Sequence, residues 1–270
     1  MEYTVEISGY IIILLISLYY IMYLYYVFFI FMEDMDKHTN TFSEEGRIHQ
    51  VEYAIKSISS AGPAIGIKCI DGVVLLGKTT DDDLSLTQDE KIYQINDNTV
   101  AIVSGLYADS NLLVNYARVV AQEYLMKYDV DMSPRQIAMA LCKIKQKYTQ
   151  GGGMRPFGVS FLFAGWNEKG EYGLYSTDPS GTLFDYTACA FGEGDKLILP
   201  VLNEHKEESS ISEGIQLAFK GIATVAEGRK VLPHTITCAV VTKVNGKNTI
   251  KLISQKDITE CLQNTREVPK

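Results

Sequence analysis

The sequence has no basic run. Its 25 lysines and arginines are outnumbered by 33 acids, for a formal charge of −8, which excludes a nucleic-acid or anionic-membrane binder driven by gross charge. Cysteine is sparse as well. The five, at positions 69, 142, 189, 238 and 261, are odd in number and show no CxxC or zinc-type spacing, so reduced thiols in a cytosol-like compartment fit better than a disulfide framework. No Asn-x-Ser/Thr sequon occurs, which agrees with an intracellular chain. No repeat or low-complexity tract is found beyond the N-terminal run. What is present is core-forming material: 46% hydrophobic and 21% charged positions over 270 residues describe one globular domain, or at most two, and exclude a disordered tail or a fibre.

One compositional break is severe. From Ile7 to Met32 there is no charged residue, and Tyr10 to Met32 is an almost unbroken run of Ile, Leu, Tyr, Phe and Val, long enough for the roughly 20 apolar residues that cross a bilayer. No Lys or Arg precedes the run and no small-residue cleavage site follows it, so a secretory signal is disfavoured. Residues 1–34 are read as an extension foreign to the domain, the product of an upstream start or a retained non-coding stretch. The alternative is a membrane anchor; Lys37 and Arg47 on its far side would then put the body in the cytoplasm. Those 34 residues hold four acids and no bases, which leaves residues 35–270 mildly acidic at −4.

Periodicity organises the body. Ile48, Val51, Ile55 and Ile58 recur at three and four, predicting a helix that Ala61-Gly62-Pro63 stops. Ala64–Ile70 and Val73–Gly77 read as two strands joined by Asp71-Gly72, a tight-turn pair tolerant of positive φ. Lys91–Ile95 and Thr99–Ser104 read as two more strands around Asn96-Asp97-Asn98. A helix starting near Asp109 or Ser110 carries Leu112, Leu113, Tyr116, Val119, Val120 and Tyr124. Another follows the capping box Ser133-Pro134-Arg135-Gln136 and must end by Gly151-Gly152-Gly153. Strands are predicted at Gly158–Trp166, Tyr172–Thr177 and Leu183–Ala190, with a turn at Asp178-Pro179-Ser180-Gly181. The box Ser210-x-x-Glu213 opens a further helix, Thr235–Thr242 and Thr249–Ile253 close as strands, and a short helix covers about Asp257 to Gln263. This order lacks strict βα alternation and points to two sheets packed face to face with helices outside, an α+β architecture. Continuous apolar runs at Val100–Val103 and Val159–Phe163 fit strands buried on both faces.

Catalytic signatures are absent: no GxSxG, HExxH, P-loop or GxGxxG after a strand. Gly192-Glu193-Gly194 lacks the third glycine of a phosphate loop. His38, His49, His205 and His234 are scattered through polar segments and read as surface imidazoles. Asp81-Asp82-Asp83 lacks the alternate spacing of a calcium loop and reads as solvated. No metal or cofactor is expected.

Phe42-Ser43-Glu44-Glu45-Gly46-Arg47-Ile48-His49-Gln50-Val51-Glu52-Tyr53-Ala54 closely resembles the signature that opens alpha subunits of the 20S proteasome core. Further matches follow in order: Glu90-Lys91-Ile92, Ser104-Gly105-Leu106-x-Ala108-Asp109, Tyr148-Thr149-Gln150, Arg155-Pro156-Phe157-Gly158-Val159-Ser160 and Asp178-Pro179-Ser180-Gly181. The likeness covers essentially residues 36–265. Leu141-Cys142-Lys143-Ile144-Lys145-Gln146 and Gly165-Trp166 lean toward the type 4 branch.

The resemblance implies the four-layer αββα sandwich of N-terminal nucleophile hydrolases with the extra N-terminal helix of alpha subunits. The catalytic relatives, the beta subunits, use a terminal threonine whose own amine serves as base. That position falls at Gly62, and their aspartate falls at Lys78; only their lysine is matched, by Lys91. The implied protein is a non-catalytic structural and gating subunit, located in cytoplasm and nucleus and acting in ubiquitin-dependent degradation. Its implied partners are the other subunits of a seven-membered alpha ring, the beta subunits and the C-terminal tails of regulatory-particle or other activators. Carried across by position, the activator-tail pocket holds Lys91, Gly46 and Glu52, and the gate holds Asp36 and Tyr53. Taken alone, Lys91 reads as a solvated surface lysine. The family's gate tyrosine is Met35 here and its proline is Glu44, which should loosen the reverse turn. The alternatives are an active threonine hydrolase, for which Gly62-Pro63 supplies no nucleophile, and a membrane-anchored protein reusing the fold.

Overall fold

A computed structural model describes residues 18–24, 26, 40–79, 90–151, 154–206, 208–226, 231–244 and 247–267. Residues 18–24 and 26 are helical, with every described side chain exposed. No helix among the described residues is long and apolar enough to cross a membrane.

Helix α1 (His49–Ile58) comes first, then strands β1 (Ala64–Cys69), β2 (Gly72–Lys78), β3 (Ile92–Asn96) and β4 (Thr99–Gly105). Helices α2 (Tyr107–Tyr128) and α3 (Pro134–Gln150) lead to β5 (Val159–Trp166), β6 (Tyr172–Thr177), β7 (Leu183–Asp185) and β8 (Ala188–Phe191). Helices α4 (Asp195–Leu202) and α5 (Ile211–Val225), strands β9 (Ile236–Val244) and β10 (Lys247–Leu252), and helix α6 (Gln255–Glu267) complete the order. The strands form two five-stranded antiparallel sheets, β10-β9-β2-β1-β8 and β3-β4-β5-β6-β7.

Side-chain alternation sorts the core into three layers of contact. Val73, Leu75, Val100, Ile102, Leu162 and Ala164 meet between the sheets. Their neighbours Ile65, Ile67, Val74 and Leu76 face outward onto α4, α5 and α6, whereas Ala101, Val103, Phe161 and Phe163 face α2 and α3. Both faces of β2, β4 and β5 are therefore dry, which is why those strands read as unbroken apolar runs. The predicted four-layer αββα sandwich with an N-terminal helix is the observed one.

Several boundaries move. The Leu183–Ala190 segment is two strands, not one: β7 pairs with β6 in one sheet and β8 pairs with β1 in the other, so the chain crosses between layers at Tyr186-Thr187. Helix α2 begins at Tyr107, ahead of the expected start, and its cap residue, Leu106, makes no side-chain cap bond that would mark that start in the sequence. Helix α4 has no counterpart in the predicted order because it is capped by Gly194 at φ +73° and contains Pro200. The β1–β2 loop is Ile70-Asp71, and neither residue has positive φ. Gly72 serves a different need: a Cβ there would lie 2.0 Å from the carbonyl oxygen of Val241 on the adjacent strand. The capping boxes are present as read, with Gln136 accepting from Ser133 N at 2.9 Å and Glu213 from Ser210 N at 2.8 Å.

Candidate functional site

Pro63 and the turn after α1 deliver Gly62 to the end of the cleft between the sheets, beside the last residue of β2 and the first turn before β3. There the ammonium of Lys91 donates to the carbonyl of Gly62 and, at 2.9 Å, to that of Lys78. Ser104 Oγ donates to the same Gly62 carbonyl at 3.2 Å. Lys91 is only 6% exposed, so the reading of it as a solvated surface residue is corrected. Burial, reinforced by the nearby charge of Lys78, lowers its pKa to about 7.

Position 62 itself offers no nucleophile. A Cβ on Gly62 would stand 2.2 Å from the Lys78 carbonyl oxygen and 3.0 Å from Lys91 Nζ. Position 62 therefore lacks not only a hydroxyl but also the room for any side chain that could carry one. Gly192 closes it from the other side: at φ +100°, a Cβ there would lie 2.8 Å from Gly62 O and 2.9 Å from Ser104 Oγ. Glu193 N donates to Ala61 O at 2.7 Å and ties the helix-to-strand link shut. Gly62 N is an internal amide, so no terminal amine is available as base.

Helix α1 lies across the ends of β4 and β5, where Gly158 has no side chain to keep Ser57 away; a Cβ there would be 2.9 Å from Ser57 Oγ. Ahead of α1, Gly46 N donates to Ser43 O at 2.9 Å, with Gly46 at φ +74°, so the Ser43–Gly46 reverse turn is closed although Glu44 stands where the family has proline. Arg47 then grips Glu52 with two bonds, Nε to Oε1 at 2.5 Å and Nη2 to Oε2 at 2.6 Å. That pairing holds the Glu52 carboxyl below the ordinary range. Tyr53 is exposed and stacks on His49, ring centroids 6.2 Å apart. Asn40 Nδ2 donates to Tyr148 O at 2.8 Å and Met154 O at 2.9 Å, fastening the approach to the signature onto the end of α3.

The proposed pocket residues thus fall into two groups. Glu52 and Gly46 shape the signature turn, and Lys91 sits in the inter-sheet cleft; among the described residues no hydrogen bond or ion pair joins them. Asp36 lies outside the described residues, as do His38 and Asp81-Asp82-Asp83. His205 is half-buried, not a free surface imidazole: its Nε2 is 2.7 Å from Lys68 O. Among the described residues no group of three His, Cys, Asp or Glu side chains could hold a metal ion, and none of the five cysteines is in a disulfide.

Two contacts are not evident from the sequence. Ser104 and Asp109 belong to one motif, yet Ser104 anchors Gly62 while Asp109 binds Arg155 of another motif, Nη1 and Nη2 both at 2.7 Å. The signal was the co-occurrence of an acid and an arginine in two separate motifs, which spacing alone does not pair.

Comparison with known proteins agrees with this geometry. The family pattern described as "Proteasome subunit" matches residues 58–241, and the N-terminal signature of A-type proteasome subunits matches residues 35–56. The chain is 39% identical over 231 residues to the proteasome alpha type-4 subunit of Petunia hybrida, covering 84% of this chain and 93% of that protein. It is 37% identical over 236 residues to the proteasome alpha type-3 subunit of Saccharomyces cerevisiae, covering 85% and 92%. To the proteasome alpha subunit of Methanocaldococcus jannaschii it is 40% identical over 210 residues, covering 77% and 79%.

Proposed function

We propose, from the premise that this chain belongs to the proteasome subunit family and carries its alpha-type signature, that it is a wall and gate subunit in the outer ring of a core particle whose peptide bonds are cut by other chains. The observation that carries this is the filled site: Lys91 and Lys78 O occupy the space that a nucleophile at position 62 would need. The ring would hold seven alpha subunits stacked on a beta ring and would work in ubiquitin-dependent protein degradation in cytoplasm and nucleus. Lys91, Gly46 and Glu52 would receive activator C-terminal tails, the Lys91 ammonium having to leave the carbonyls of Gly62 and Lys78 to meet the terminal carboxylate; Asp36 and Tyr53 would order the pore. The exposure of Tyr53 and the closed Ser43–Gly46 turn support that assignment.

Native mass spectrometry and size-exclusion chromatography of the chain from its source cells test the reading. A ring-sized particle containing the chain is expected, together with no peptide hydrolysis by the isolated chain. A chain that runs near 30 kDa with no larger species, or that cleaves peptides alone, defeats it.

A further inference from the structure

A cavity of about 260 Å³ opens beside α1, walled by Ile55, Ile58, Phe184 and Phe191. It is smaller than the pockets that take drug-sized ligands, about 300–1,000 Å³, and suits one long side chain. Its polar groups are few. Ser160 lines it, is only 3% exposed, and its hydroxyl has no hydrogen-bond partner among the described residues. That hydroxyl is not among the polar atoms shut away from solvent, so it is open to a hydrogen-bonding group that enters the cavity.

Two carboxylates line the same cavity, and each has one oxygen engaged. Asp178 Oδ1 accepts from Ser180 Oγ at 2.7 Å and Thr182 N at 2.8 Å. Asp195 Oδ1 accepts from Lys196 N at 2.6 Å. Each keeps its second oxygen. Lys145 is close enough to feel the charge of Asp178, but its Nζ is committed to Val159 O and to Thr177 O and Oγ1. Apolar walls with two single carboxylate acceptors and one hydroxyl match an aliphatic stem ending in an ammonium, which has three separate donors. They match a guanidinium less well, because its planar fork wants both oxygens of one carboxylate.

We infer that this cavity accepts the side chain of a lysine from a neighbouring chain of the ring, fixing that neighbour against α1 and the Asp178–Gly181 turn. The inference rests on the ring reading above for the source of the lysine. It adds a contact that uses neither Lys91 nor the signature turn.

Zero-length carbodiimide coupling of the assembled particle, read by peptide mass spectrometry, tests it. The reagent joins a carboxylate to an amine it touches, with water leaving to the carbodiimide. The expected result is an amide between Asp178 or Asp195 and a lysine of another polypeptide. It should disappear in the Asp178→Asn, Asp195→Asn double variant, which keeps the Oδ1 acceptors, and fall several-fold in Ser160→Ala. If the particle contains the chain and neither acid joins a second polypeptide, the inference is overturned while the ring reading stands. If no particle contains the chain, the ring reading fails, and cadaverine then serves as the amine probe on the free chain. Coupling at Asp178 or Asp195 several-fold above that at exposed Glu45 and Glu168 supports a lysine pocket, and equal coupling overturns it.

Discussion

Arg155 and Asp109 lie 46 residues apart, and both terminal nitrogens of the arginine reach the carboxylate at 2.7 Å. Asp109 also accepts from Gly158 N at 2.9 Å, so one carboxylate pins the first turn of α2 to the loop that enters β5. Between these two segments Gly105, at φ +134°, has its backbone so close to Gly158 that a Cβ would lie 2.1 Å from the carbonyl oxygen. The pair therefore holds together the strands that frame Gly62, through Ser104 on the same segment.

Asp109→Ala is expected to destabilise the chain by about 1–3 kcal/mol, because the buried Gly158 N–H loses its acceptor and Arg155 its partner. Burial alone would raise the Asp109 carboxyl, but the bonds from Arg155 and Gly158 outweigh it and hold it below the ordinary value. That stability is present above the unfolded pKa of about 3.9 and is lost as pH falls through the depressed folded value. Urea unfolding at pH 7 and near pH 3 checks this: the wild-type advantage over the variant should shrink at the lower pH.

Gly62→Thr is expected to yield no peptidase and a less stable chain. The new Cβ meets a backbone carbonyl at 2.2 Å, which cannot rotate away as a flexible side chain can, so a cost at or above the about 1–3 kcal/mol typical of overpacking follows. Thermal unfolding and a fluorogenic-peptide assay on the same preparation check both halves. Hydrolysis appearing with unchanged stability would contradict the filled-site account.

Most of the fold was legible because β2, β4 and β5 are apolar on both faces and the helices α3 and α5 carry reciprocal caps. What escaped had no local signal. The break between β7 and β8 is set by which sheet each half pairs with, a long-range fact that the apolar content of Leu183–Ala190 does not encode. Gly62 was legible as a missing nucleophile, whereas the closeness of Lys78 O depends on the register of β2 against its neighbours and could only be seen folded. Lys91 in isolation reads as exposed because a lysine ordinarily is, and nothing nearby in sequence announces the two carbonyls that let it be buried.

Lys145→Met isolates a second buried lysine. Lys145 has no exposed surface, and its ammonium lies 5.1 Å from the Phe161 ring centroid as well as on the carbonyls of Val159 and Thr177. Burial lowers its pKa to about 7, whereas the unfolded chain titrates near about 10.4. Between those values the unfolded state binds more protons, so this group makes stability rise with pH, by no more than about 1.4 kcal/mol per pH unit. Denaturant midpoints measured from pH 7 to pH 9 should climb less steeply in the variant. Parallel slopes would mean that Lys145 does not carry the effect.

Glu44→Pro asks what the missing proline does to the signature. The Ser43–Gly46 turn is already closed by its 2.9 Å bond, so proline is not needed to form it. Glu44 N donates to no described residue, so its loss removes no contact, and proline suits the second position of such a turn. Its effect should therefore act through the unfolded chain, by removing conformations that folding must otherwise forfeit, and should stabilise by about 0.4–1 kcal/mol. The same restriction acts on the tail ahead of the turn, where Ser43 would be confined to extended backbone. Hydrogen exchange of the amides from Thr41 to Arg47 should slow in the variant, with α3 unchanged. Faster exchange there would show that the turn needs a geometry proline cannot adopt, and that Glu44 is suited to this chain.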